Sequence, residues 1–214
     1  MKQLLLTICA SCFFFSLFAQ DELSGKEFSS YVFPAFIEGT VKQKSGEVNK
    51  AFLNYNSLTE EMIFEQSGQK MALDKIEEID TVYIENKKFI PAGKVFYEVV
   101  TNTPVALFIQ HKSDLIPPGS ETGFGTSQTS AITNVNDLKN SGIAYKLKLP
   151  DDYKITLKKI YWLKKNNNYY LVKAIKNVLD LFPEKADAIK AYVKANKIDL
   201  KNSDDAMKLI VFCN

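Results

Sequence analysis

His111 is the only histidine in the 214 residues, and imidazole is the side chain best suited to moving a proton near neutral pH. Asp114 follows three positions later. A histidine steered by a carboxylate serves as a general base when a nucleophile stands within reach. The chain offers little for that third role. It has no G-x-S-x-G elbow, and Cys213, next to the last residue, is the sole thiol beyond the N-terminal apolar stretch. His111 is therefore expected as a half-exposed strand-end residue, and Cys213 as a small buried hydrophobe in a last helix beside Val211 and Phe212. A single histidine, no cysteine cluster and no D-x-D-x-D-G loop give zinc and calcium no ligand set. No catalytic, cofactor-binding or metal-ligating residue is assigned, and no cofactor is expected.

Other stretches invite comparison with known chemistry and fall short of it. Gly119–Ser127 is rich in glycine and hydroxyls, but it lacks the lysine of a phosphate loop and follows no strand-to-helix unit. Ser67-Gly68-Gln69-Lys70 matches S-x-x-K, yet it reads as a hairpin turn, with neither S-D-N nor K-T-G elsewhere. Acids gather at Glu60, Glu61, Glu77, Glu78 and Asp80. Glycoside hydrolysis needs two carboxyls facing each other across a cleft, and neighbours along a strand point to opposite faces. Tyr161, Trp162, Tyr169 and Tyr170 lie on one hairpin, with Tyr153 nearby. Such a face either builds core or binds sugars and peptides, and core is the expected role.

The elements that must position these residues are strands first and helices last. Period-two apolar spacing marks Phe36–Gln43, Ala51 to Tyr55, Met62 and Phe64, Met71 and Leu73, Val82 and Ile84, Phe89 and Ile90, and Val105 to Ile109. In the segment Val95–Val99 the alternation puts Val95, Tyr97 and Val99 on one face. Ser45-Gly46, Ser67-Gly68, Asn86, Pro91 with Gly93, and Asn102-Thr103-Pro104 punctuate the runs. That is the pattern of an antiparallel meander. A glycine-, serine- and asparagine-rich stretch at 113–143 reads as the main flexible loop. Strands resume at Tyr153, Ile155 and Leu157 and turn at Asn166-Asn167-Asn168.

From Lys173 the period becomes helical, with Ile175, Val178, Leu179 and Phe182 on one stripe. Pro183 opens a second helix, Asn196 stops it, and Ser203 is expected to cap a third, with Asp204 and Asp205 at its positive end. The expected class is α+β. It comprises an antiparallel β domain over 20–172, sandwich-like or barrel-like, and a small helical segment over 173–214.

Charge and the N-terminus speak to compartment. Lys2 is the only charge before Asp21, an apolar run spans Leu4–Phe18, and Ala19 closes it. A basic start, an apolar core and a small residue at the cut define a secretory signal peptide, here 1–19. Two alternatives stand beside it: a retained anchor, and lipidation at Cys12 after the partial box Cys9-Ala10-Ser11. Every basic residue is lysine, so arginine's planar fork is absent and nucleic acid is not an expected partner. Residues 21–110 carry 9 lysines and 14 acids, a net of −5, whereas residues 111–214 carry 17 lysines and 11 acids, a net of +6.

Leu53-Asn54-Tyr55-Asn56 with Glu61-Met62-Ile63-Phe64, the loop Gly123-Phe124-Gly125, and the tail from Leu181-Phe182-Pro183 to Asn196-Lys197 resemble uncharacterised exported proteins of the Bacteroidetes. So does the leader end Phe18-Ala19-Gln20. The resemblance implies no activity and carries over no functional residue. Asp80-Thr81-Val82 is similar to the O-glycan acceptor pattern of that phylum. The leading expectation is a periplasmic or secreted, non-enzymatic binding protein of the cell envelope, with an unknown envelope or extracellular partner or ligand and no membrane span in the mature chain. The alternatives are a hydrolase of envelope polymers using dispersed carboxylates, and a lipoprotein component of an outer-membrane assembly.

Overall fold

The computed structural model describes residues 30–116, 121–122, 125–126 and 154–214. The leader expected at 1–19 and most of the stretch expected as a loop at 113–143 lie outside the described residues.

The class is α+β. Ten strands form one open antiparallel sheet, and three short helices follow it. The first seven strands are β1 (Ile37–Gln43), β2 (Val48–Asn56), β3 (Glu61–Gln66), β4 (Gln69–Ala72), β5 (Ile79–Ile84), β6 (Lys87–Ala92) and β7 (Val95–Val99). They are followed by β8 (Ala106–Ile116), the separate two-residue pair β9 (Glu121–Thr122) and β10 (Gly125–Thr126), then β11 (Lys154–Lys165) and β12 (Asn168–Val172). Across the sheet the order is β12-β11-β8-β7-β6-β5-β1-β2-β3-β4. β8 reaches Ile116, so the first four residues of the expected loop are strand. They pair with Lys154–Leu157 of β11, which supplies the backbone partners a loop would lack.

The turns obey the local rules. Ser67 (φ 52) and Gly68 (φ 75) are both left-handed, as a two-residue hairpin requires if its twist is to match that of the strands. Asn166 (φ 50) and Asn167 (φ 64) repeat the device between β11 and β12, with asparagine tolerating the conformation.

The sheet curls until the β2–β3 turn meets β8. The Ser113 amide donates to Ser57 O at 2.9 Å, and the two hydroxyls lie 2.6 Å apart. Ser57 in turn donates its amide (2.8 Å) and its hydroxyl (2.5 Å) to Ser30 O. Asn54 fixes the segment before β1: its Nδ2 donates to Phe33 O and Ala35 O at 2.9 Å, and its Oδ1 accepts from Phe33 N at 3.1 Å.

Inside the curl sits one core, with Leu53, Tyr55, Val82, Ile84, Phe89 and Phe96 all fully buried. β1 crosses it at Gly39, where an added Cβ would lie 2.5 Å from Tyr83 O and 2.9 Å from Leu53 Cδ1. The second core lies between Leu107, Ile109, Tyr161 and Leu163 of the sheet and the helices. These are α1 (Ile175–Leu181), a 3-10 turn (Pro183–Lys185), α2 (Ala186–Asn196) and α3 (Ser203–Cys213). Val178, Ile189, Leu209 and Cys213 are each 0% exposed there. Helices of 7 to 11 residues are too short to persist alone and draw their stability from this docking.

Two local expectations are corrected. The cap of α3 is Asn202, whose Oδ1 accepts from Asp204 N at 2.8 Å and Asp205 N at 3.4 Å, so Ser203 is the first helical residue. In β7 the inward face is Phe96 and Glu98, while Val95, Tyr97 and Val99 are only half-buried.

Candidate functional site

A cleft of about 1090 Å3 opens where β12 ends. Its walls are three consecutive runs: Leu157–Tyr161 of β11, Leu171–Ile175 from the end of β12 into α1, and Ile198–Lys201 between α2 and α3. His111, Lys112, Lys87 and Ser57 also line it. The local cause is a difference in strand length. β12 pairs with β11 only from Lys165 back to Tyr161, where Val172 is the last partner. The chain then leaves the sheet for α1, while β11 continues to Lys154.

The cleft is apolar in its walls and cationic around them. Leu157 is 59% exposed, and Ile160, Leu171, Ile175, Ile198 and Leu200 are half-buried. Lys87, Lys112, Lys158, Lys159, Lys173 and Lys201 line it, against Asp199 as the one lining acid among the described residues. Lys112 pairs with Glu60 at 3.1 Å and Lys158 with Asp114. Lys159 donates to the neutral Ser203 hydroxyl at 2.7 Å. Among the described residues no carboxylate pairs with Lys159, Lys173 or Lys201.

His111 and Lys87, which line the cleft, form a largely buried polar triad with Glu98. His111 Nε2 is 2.6 Å from Glu98 Oε2, and Lys87 donates to Glu98 Oε1. Glu98 and His111 are each 7% exposed, and the histidine ring packs against Tyr55 and Phe89 at 6.2 and 6.3 Å. Burial alone would raise the Glu98 carboxyl. The hydrogen bonds and positive charge supplied by His111 and Lys87 outweigh burial, and the carboxyl is held below its usual range.

The pairing of His111 with Asp114 does not form. Three positions apart on a strand, the two point to opposite faces, and Asp114 turns instead to Lys158. His111 is buried rather than half-exposed. Glu98 and Lys87 are the partners that sequence reasoning missed. The available signal was a lone acid inside the apolar run Val95-Phe96-Tyr97-Glu98-Val99.

Of the remaining sequence candidates among the described residues, Tyr161 lines the cleft and Glu60 touches it through Lys112, while the others stay apart from it. Asp80 pairs with Lys42 at 3.5 Å and Glu78 with Lys75 at 3.7 Å, both exposed. Ser67 and Gly68 form the β3–β4 turn, and Lys70 lies 4.8 Å from the Phe36 ring centroid. Cys213 is fully buried, and burial pushes its thiol up to about 11. The aromatic hairpin residues divide between the two faces. Tyr161 enters the helical core, while Trp162 lies nearly parallel to Tyr97 (centroids 5.9 Å, 14°) on the other side, with Tyr169 edge-on to Tyr97 at 5.6 Å. Trp162 Nε1 donates to Gln110 Oε1 at 3.0 Å, and Gln110 Nε2 donates to Glu60 Oε1 at 2.5 Å. The indole N–H of this outer aromatic ladder is therefore satisfied internally. Tyr153 lies outside the described residues.

Comparison with protein-family models, curated proteins and solved structures found no match. Among the described residues no group of three or more His, Cys, Asp or Glu could hold a metal ion, and no helix is long and apolar enough to cross a membrane.

Proposed function

We propose that this chain is an exported, non-enzymatic binding protein of the cell envelope, and that the cleft at the end of β12 receives its ligand or partner. The observation that carries this reading is the cleft itself: a concavity of about 1090 Å3 with accessible apolar walls and a lysine rim. Ligand sites have this character, a mostly apolar concavity with a few charged groups that fix orientation. The leader at 1–19 and the resemblance to exported Bacteroidetes proteins support the compartment.

The hydrolase alternative gains nothing from the geometry. It needs two facing carboxyls, whereas Asp199 is the sole acid lining the cleft among the described residues, and Glu98 is bound on both oxygens.

Fractionation of expressing cells, with intact-mass analysis of the recovered chain, tests the reading. The expected result is an envelope or extracellular protein beginning at Gln20 that co-purifies with a bound molecule. A cytosolic chain still carrying Met1 would refute it.

A further inference from the structure

Building on the binding reading above, we infer that the cleft takes an extended, acidic peptide segment, which pairs as an additional strand with the edge of β11 that no strand among the described residues covers.

The argument begins with the hydrogen-bond ladder. β11 pairs with β8 from Lys154 to Lys164, but with β12 only from Tyr161 to Lys165. Among the described residues, the edge of Lys154–Ile160 away from β8 has no strand beside it. Seven residues of strand span about 23 Å, room for an incoming segment of similar length.

The lining brings part of the cleft to this edge, with His111 and Lys112 of β8 lining it as well. Side chains alternate across a strand, so a cleft on a single face would touch every second residue. Here Leu157, Lys158, Lys159 and Ile160 all line the cleft in succession. Thr156, Leu157, Lys158 and Lys159 are likewise all exposed, on both faces. Exposed backbone donors and acceptors along such an edge are a template for another strand.

Charge then selects the occupant. Lys154, Lys158 and Lys159 lie on the edge strand, and Lys173 and Lys201 stand on the facing wall. Lysine is a point charge that accepts a carboxylate in many orientations. Lys158 already pairs with Asp114, but no carboxylate among the described residues pairs with Lys159, Lys173 or Lys201; a basic strand would set like charges against these three, whereas an acidic one complements them. Leu157, with Leu171, Ile175 and Leu200 opposite, offers apolar contact for alternate side chains. Lysines on an edge also discourage aggregation; blunting of that kind acts against every strand, so it predicts no uptake of an acidic one.

The test is amide exchange by NMR on 15N-labelled protein. The probe is a synthetic peptide alternating glutamate with valine. Two controls replace every glutamate by lysine or N-methylate every second amide. The expected result is slowed exchange at amides within 154–160, by about tenfold or more, with saturable binding. Both controls should bind about tenfold or more weakly. Lys159→Glu with Lys173→Glu, both exposed and outside the cores, should weaken the acidic peptide in the same way.

Binding without slowed exchange at 154–160, or equal binding of the N-methylated peptide, overturns the strand pairing. If dodecanoate instead shifts Ile175 and Leu200 while the peptide leaves them unmoved, the cleft is a ligand site for amphiphiles and this inference fails, though the binding reading stands. If no probe, dodecanoate included, moves any cleft resonance, both fall together.

Discussion

His111 Nε2 stands 2.6 Å from Glu98 Oε2, with both side chains under one-tenth exposed, and Lys87 occupies the other carboxylate oxygen. A buried acid is costly unless it is paired and hydrogen-bonded, and here both oxygens are used. Replacing Glu98 by alanine strands a buried histidine and leaves a lysine without its partner. The expected cost is about 2–4 kcal/mol in urea unfolding.

The same triad predicts an acid limb to stability. Glu98 is held below its ordinary value of 4.5, so the folded chain binds this proton less readily than the unfolded chain. Its contribution is complete above 4.5 and fades as pH falls through the lower folded value. The urea midpoint of the natural chain should therefore drop below pH 4.5 with a steeper slope than that of Glu98→Gln. Parallel pH profiles would contradict the assignment.

Gly39 is required by contact, not by a turn. A methyl there would meet Tyr83 O at 2.5 Å, a backbone atom that moves only with β5. Gly39→Ala should cost about 1–3 kcal/mol, and chemical denaturation measures it. Gly46→Ala is the contrast. An added Cβ there has open space around it, but its φ of 92 is strained for alanine, so its penalty comes from backbone conformation alone.

Much of this architecture was legible in the sequence. The hairpins follow from period-two spacing and left-handed turn residues, as at Ser67-Gly68 and Asn166-Asn167. The inward stripe Ala206, Leu209, Ile210 and Cys213 follows from helical period. Glu98 was not legible. Every neighbour in Val95–Val99 is apolar, so alternation by hydrophobicity picks the wrong face, and the partners that make an inward acid tolerable sit on β6 and β8. Strand register brings Glu98 opposite Ile109, beside His111, and register is a property of the assembled sheet. The cleft is an intermediate case. Strand period begins near Tyr153 and helical period begins at Lys173, so β12 must be shorter than β11; that the difference opens a cleft depends on where the helices dock.

Docking of the tail has its own test. Cys213 is fully buried beside Leu209 and Ile210, and burial raises its thiol to about 11, so it is both inaccessible and protonated at neutral pH. In the chain from Gln20 onward, whose one thiol is Cys213, a thiol reagent should leave the folded protein unlabelled and react on unfolding. Leu209→Ala should cost about 2–5 kcal/mol and make Cys213 reactive at lower urea. Labelling of the native chain at the rate of a free peptide would show that α3 is not docked as described.

The most direct test of the binding account is photo-crosslinking in native cells, with a photoreactive residue in place of Leu157 at the cleft and, as control, in place of the equally exposed Val48 on β2. The account predicts a discrete adduct from position 157, none from position 48, and its loss when Lys159, Lys173 and Lys201 are changed to glutamate. No adduct at position 157, or the same adducts from both positions, would contradict it.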